Sequence, residues 1–150
     1  MIESQLQYET QVDVLVLGTG AGVVSTFLHR HFPQVHITCI DIDEMVLDIG
    51  KGLFGFKEDH RLHSLIKDAK QYVEDICGTN VKYHVIMLDI SSSDPNEMVP
   101  PPEFRSDRFM MLVKDLLLPN GLLMINTIMN SEKTLREFKD MITRYYAIVY

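Results

Sequence analysis

Apolar residues along the chain gather into short unbroken runs separated by mixed stretches. The runs are Val12 to Leu17, Val35 to Ile40, His63 to Ile66, Tyr83 to Leu88, Leu122 to Ile128 and Tyr145 to Tyr150. Runs of Val, Leu and Ile that do not alternate with polar residues, such as Val14 to Leu17, predict strands covered on both faces, as in parallel sheets. Helices are expected over about Val23–Phe32, Asp43–Gly50, Lys70–Cys77, Glu103–Leu117 and Glu132–Arg144. The acids Asp43 and Glu44 suit the positive end of the second of these, Gly78 stops the third, and Pro102 sits well for the first turn of the fourth. Ser131 caps the fifth, with Thr134 as the alternative. Pro119-Asn120-Gly121 reads as a turn. Leu53, Phe54 and Phe56, among the glycines at 50, 52 and 55, are expected to pack their loop against the sheet edge. Strands alternating with helices give an α/β fold with a doubly wound, mainly parallel sheet. Residues 12–150 make one domain, and residues 1–11 a polar lead-in tail.

The stretch VDVLVLGTGAGVVSTFLHRHFPQVHITCIDID, Val12 to Asp43, is one βαβ unit carrying the chemistry. Gly18 and Gly20 remove side chains where the backbone turns sharply and a ligand must come close, and the next helix opens with free N–H groups. Asp41 ends the second strand about 20 residues on, where a carboxylate accepts ribose hydroxyls. A nicotinamide dinucleotide site is disfavoured, because position 23 is Val where that fingerprint needs Gly or Ala. No Gly-Lys-Ser/Thr follows, so the turn is not a P-loop. Gly18-x-Gly20-x-Gly22 with a downstream acid resembles the first motif of S-adenosylmethionine-dependent methyltransferases.

Charge narrows the partners. The 150 residues carry a net charge of −7 with no basic stripe, which argues against nucleic acid and suits a cationic partner such as a basic peptide. No signal peptide or membrane-length apolar run is visible. Cys39 and Cys77 read as reduced, small hydrophobes, so a cytoplasmic protein is expected. The six histidines lack metal-ligand spacing, and no metal is expected.

Three acids fall at strand ends, where ligands bind in doubly wound sheets. Asp41 is the ribose candidate, and Asp43 the residue that caps the next helix. Asp68 accepts an adenine amine or caps the helix at Ala69. Asp89 either accepts a proton from, or orients, an attacking amine beside a sulfonium cofactor, or it closes a turn. Asp94-Pro95 is a turn signal first and a substrate contact second.

LVLGTGAG, CIDID, IKDAKQYV and YHVIMLDISSSDP, in that order, resemble the spermidine synthase-like branch of class I methyltransferases, a Rossmann-like fold. Within that branch the chain is most similar to the methyltransferase-like proteins whose C-terminal domain modifies the N-terminus of translation elongation factor 1-alpha. The segment LFGFKEDHRLHSLIKDA resembles that family's WFGF-containing loop, and PPPEF its proline triplet. Asp89 and Asp94 stand five apart, against three in the compact DSSDP-like run of aminopropyltransferases.

The resemblance implies that Gly18, Gly20 and Gly22 approach the methionine moiety of S-adenosyl-L-methionine, Asp41 holds the ribose and Asp68 the adenine amine. Asp89 then faces the transferred methyl. The implied activity is N-methylation of a protein amine, an N-terminus or a lysine, with elongation factor 1-alpha as the candidate acceptor. The alternatives are a polyamine aminopropyltransferase and a non-catalytic nucleoside-binding module. The family also carries a segment before the first strand and a seventh strand between the fifth and sixth. The expectation here is therefore a truncated domain lacking that strand, whose open sheet edge permits a dimer.

Overall fold

The computed structural model describes residues 11–92, 94 and 97–147. Five parallel strands form one sheet, β1 (Val12–Leu17), β2 (Val35–Asp41), β3 (Leu62–Ile66), β4 (Tyr83–Leu88) and β5 (Leu117–Ile125), in the order β3-β2-β1-β4-β5. The order reverses between β1 and β4. The connecting helices are α1 (Val23–His31), α2 (Glu44–Leu53), α3 (Ala69–Ile76), α4 (Asp107–Leu116) and α5 (Glu132–Ile142). None of the helices among the described residues is long and apolar enough to cross a membrane.

Unbroken apolar strands feed two cores. Leu15 and Leu17 of β1 point to one face of the sheet, where α3, α4 and α5 supply Val73, Phe109, Met110, Leu116 and Phe138. Val14 and Val16 point to the other, against Leu47 of α2 and Phe56. Phe56 is 2% exposed and packs on the sheet face, whereas Leu53 is 79% exposed and Phe54 50%. The expected packing of that loop on the sheet edge therefore gives way to a single anchoring ring on its face.

Three other elements differ from expectation. The stretch 103–117 is not one helix: Pro102–Arg105 is a 3₁₀ turn, and Ser106 interrupts to cap α4 by accepting from the Phe109 N–H. Strand five begins at Leu117, which pairs with Tyr83, and resumes at Leu122 opposite Val85, so the Pro119-Asn120-Gly121 turn is a bulge within it. Asn120 carries the required positive φ of 64°. Tyr145 and Tyr146, expected in a sixth strand, lie in a turn after α5 and pack on the core. Residues 148–150 of that strand, and residues 1–10 of the lead-in, lie outside the described residues.

Asp59 ties the loop after α2 to the start of β3. Its Oδ1 accepts from the N–H groups of Arg61 at 2.8 Å and Leu62 at 3.1 Å, and Nε2 of His29 on α1 lies 3.0 Å from Oδ2. The Arg61 N–H, and then His29 and His60, hold this carboxyl down at about 2 against the opposing effect of desolvation. A carboxyl whose folded value lies below its unfolded one contributes stability that is complete above the unfolded value and is lost as pH falls through the folded one. Asp59→Ala is therefore expected to lower the melting temperature at pH 7. Its deficit against the wild type should shrink as pH drops from about 4 to about 2, measured by thermal unfolding across that range. An equal deficit at both ends would mean that the carboxylate's charge is not what fastens the loop.

Candidate active site

The turn after β1 is built by what it lacks. Gly18 has a φ of +85°, and a Cβ there would lie 2.3 Å from the carbonyl oxygen of Asp89. Only glycine lets the ends of β1 and β4 come this close. Gly18 and Thr19 donate their N–H groups to the Ile40 carbonyl, at 2.9 and 3.2 Å, which draws the turn onto the end of β2. Gly22 caps α1 with φ 69°, and a Cβ there would meet the Phe56 ring at 2.1 Å. Its bareness thus seats the buried phenylalanine.

Asp41 is fixed by two backbone donors. Gly20 N–H reaches Oδ2 at 2.6 Å and Asp43 N–H reaches Oδ1 at 2.9 Å. A carboxylate offers about four lone-pair sites, so each oxygen keeps capacity for one more donor. Asp43 caps α2, its Oδ1 accepting from Met45 and Val46. Asp68 caps α3 through the Gln71 N–H at 2.8 Å, the capping alternative foreseen for it, and it also lines the cleft. Asp89 ends β4. Its N–H donates to the Leu17 carbonyl, and its Oδ1 accepts from Nδ2 of Asn126 at 2.8 Å.

These residues meet in one cleft of about 700 Å³ beyond the carboxyl ends of β1, β2 and β4, at the reversal of strand order. Gly18, Gly20, Asp41, Asp68 and Asp89 line it; Gly22 and Asp94 do not, Asp94 standing exposed on the loop after β4. Among the described residues, Asp43, Glu97 and Glu103 complete a set of six lining carboxylates, without a lysine, arginine or histidine beside them in the lining. Such a wall attracts cations. The loop bearing Glu97 is closed down where Val99 and Ile128 exchange N–H to carbonyl bonds, both at 2.9 Å. Phe104 and Pro101 supply an apolar side to the same cleft.

Three participants escape the pattern of strand-end acids. Glu97 and Glu103 sit within a loop and at the 3₁₀ turn, and the proline run that precedes Glu103 reads only as a helix start. Asn126 is the first residue after β5, and its N–H donates to the Leu88 carbonyl at 2.9 Å. The same strand-end rule that finds Asp41 and Asp89 finds Asn126, once β5 is ended at Ile125 rather than at Ile128.

Residues 4–148 match the spermine/spermidine synthase domain. The chain is 34% identical over 127 residues to the eEF1A lysine and N-terminal methyltransferase of Mus musculus, covering 83% of this chain and 18% of that protein. It is 29% identical over 119 residues to the polyamine aminopropyltransferase of Vibrio vulnificus, covering 79% of this chain and 38% of that protein. The crystal structure of human methyltransferase-like protein 13 in complex with SAH matches with a TM-score of 0.88 at 30% identity, over 95% of this chain and 66% of that one. Sheet order, glycine turn and strand-end cleft thus coincide with a domain match over nearly the whole sequence, and the chain belongs to the spermine/spermidine synthase domain family.

Proposed function

We propose that this chain is the S-adenosylmethionine-binding domain of an N-methyltransferase that modifies a protein amine, an N-terminus or a lysine, with eEF1A as the candidate acceptor. The observation that carries this reading is the pairing of two fixed carboxylates across one acid-walled cleft. Asp41 is pinned by Gly20 and Asp43, and Asp89 by Asn126. The names of the relatives support the choice of a protein acceptor.

The residues present suit the cofactor. Asp41 keeps acceptor capacity on both oxygens for the vicinal hydroxyls of a ribose, and Asp68 has an oxygen beyond the one that caps α3 for the adenine amine. Gly18 and Gly20 offer bare backbone to the methionine moiety, and Gly22 shapes the same turn from behind. The cofactor, when bound, supplies a methyl group on a cationic sulfonium.

Asp89 acts on the acceptor. Its Oδ1 is committed to Asn126, which fixes the carboxylate plane and leaves Oδ2 for an amine. An α-amine has an ordinary pKa just above neutrality, so a neighbouring carboxylate need only orient it and take its proton. Most of the rate then comes from alignment. Glu97 and Glu103 favour entry of a basic chain, and Asp94, exposed outside the cleft, is the proposed contact for its continuation. Aminopropyl transfer is the second reading, supported by the family match and by a relative that is a polyamine aminopropyltransferase.

Calorimetric titration separates these readings. S-adenosylmethionine and S-adenosylhomocysteine are expected to bind, and Asp41→Ala to weaken both by about ten- to a hundredfold through loss of charge-assisted ribose bonds. Preference for the decarboxylated cofactor, with turnover of putrescine, would replace methyl transfer by aminopropyl transfer. Absence of binding to all three would leave a nucleoside fold without the activity.

For the chemical step, radiolabelled methyl transfer to an N-terminal eEF1A peptide is expected to fall by about a hundredfold or more in kcat in Asp89→Ala, with cofactor affinity kept. Unchanged kcat in that variant would remove Asp89 from the reaction centre.

A further inference from the structure

A second cavity lies on the α1 and α2 side of the sheet, reaching the amino end of β3, whereas the acidic cleft lies at the carboxyl ends of the strands. It encloses about 590 Å³ between Thr26, His29 and Arg30 of α1, Lys51 of α2, and Lys57 and Asp59 of the following loop. We infer that this cavity is a binding site for a phosphate-type oxyanion.

Its electrostatics are the inverse of the cleft's. Three permanent cations, Arg30, Lys51 and Lys57, face one carboxylate. That carboxylate, Asp59, is already committed to the N–H groups of Arg61 and Leu62 and to His29. The cations are much less committed. Lys57 has no hydrogen bond or ion pair among the described residues. Arg30 makes one long bond, 3.4 Å to the Gly55 carbonyl, leaving most of its five donors unused. Lys51 stands 3.5 Å from Glu58, whose other oxygen takes both the N–H and the hydroxyl of Ser64.

Thr26 lines the same cavity. Its residue is 7% exposed, and its Oγ1 is buried with no hydrogen-bond partner. Buried hydroxyls are seldom left so. A tetrahedral oxyanion seated among the three cations takes up their unused donors, and bidentate guanidinium recognition suits such an anion. General attraction of anions by a chain of net charge −7 does not account for it. The inference does not depend on the cofactor reading of the cleft.

The test is titration of the purified, isotope-labelled chain with inorganic phosphate and, separately, with glycerol 3-phosphate, followed by amide NMR shifts. Ionic strength is held constant with sodium chloride. Saturable shifts at Thr26, Arg30 and Lys57, with Gly20 and Asp89 unmoved, are expected. Lys57→Gln together with Arg30→Gln should weaken binding by about tenfold. Tighter binding of the ester would assign an organic phosphate, and equal binding the free ion. Shifts that never saturate, or a Kd unchanged in Lys57→Gln, an exposed position that leaves folding intact, would overturn the assignment.

Discussion

One hydrogen bond, from the Gly20 N–H to Oδ2 of Asp41 at 2.6 Å, joins the turn after β1 to the end of β2 across 21 residues of sequence. Everything that makes the cleft depends on that closure. It requires a chain that bends back without a Cβ at Gly18, because the Asp89 carbonyl occupies the space. It requires β2 to end on an acid at the level where β1 turns, which the register Leu17 opposite Ile40 ensures. The Asp43 N–H takes the other oxygen of Asp41 and, from the same residue, the Asp43 side chain starts α2. Strand end, ligand-facing carboxylate and helix start are thus parts of one bonded unit.

The elements that were legible in the sequence are those whose physics is local. A run such as VLVL has no polar face, and only a strand covered on both sides satisfies it. Asp43, Asp68 and Ser131 are residue types that accept from helix-opening N–H groups, and each does so. What was not legible depended on distant partners. Ser106 breaks the expected long helix because its hydroxyl accepts from Phe109, a choice that competes evenly with helix continuation until the 3₁₀ turn packs Phe104 into the core. The run YYAIVY has strand composition. Its first two tyrosines are instead held by a Tyr145 hydroxyl bond to Asp107 at 2.6 Å and by packing against the α4 and α5 core.

The site shows the same division. Strand-end acids announce themselves by position, and the shared cleft follows from the parallel topology. Glu97 and Glu103 are brought in by the loop that the bridge between Val99 and Ile128 closes, which has no short-range signature, whereas Asn126 is missed only because the apolar run places the end of β5 three residues late. Net charge was informative only as a sum. The −7 of the whole chain hides a cleft at the carboxyl ends of the strands whose described charged residues are all acids, and a cation-rich hollow on the α1 and α2 side near the amino end of β3. A folded chain sorts its charges by where the loops land, and composition does not record that.

Helix α1 carries the consequence of the glycine turn furthest from the cleft. A helix that starts directly from so tight a turn runs close along the sheet, and its inward residues must be small. Ser25 and Thr26 face inward, and Ser25 accepts a weak bond from the Cys39 thiol at 3.2 Å. Burial pushes that thiol up to about 11, which keeps it a neutral packing group rather than a nucleophile. Three larger apolar residues of the helix, Val23, Val24 and Phe27, are exposed, Phe27 to 54%, while Leu28 is partly buried against the core. Thr26 is thereby buried without a partner beside the basic cavity, so the same constraint that shapes the acidic cleft also sets the lining of the second pocket.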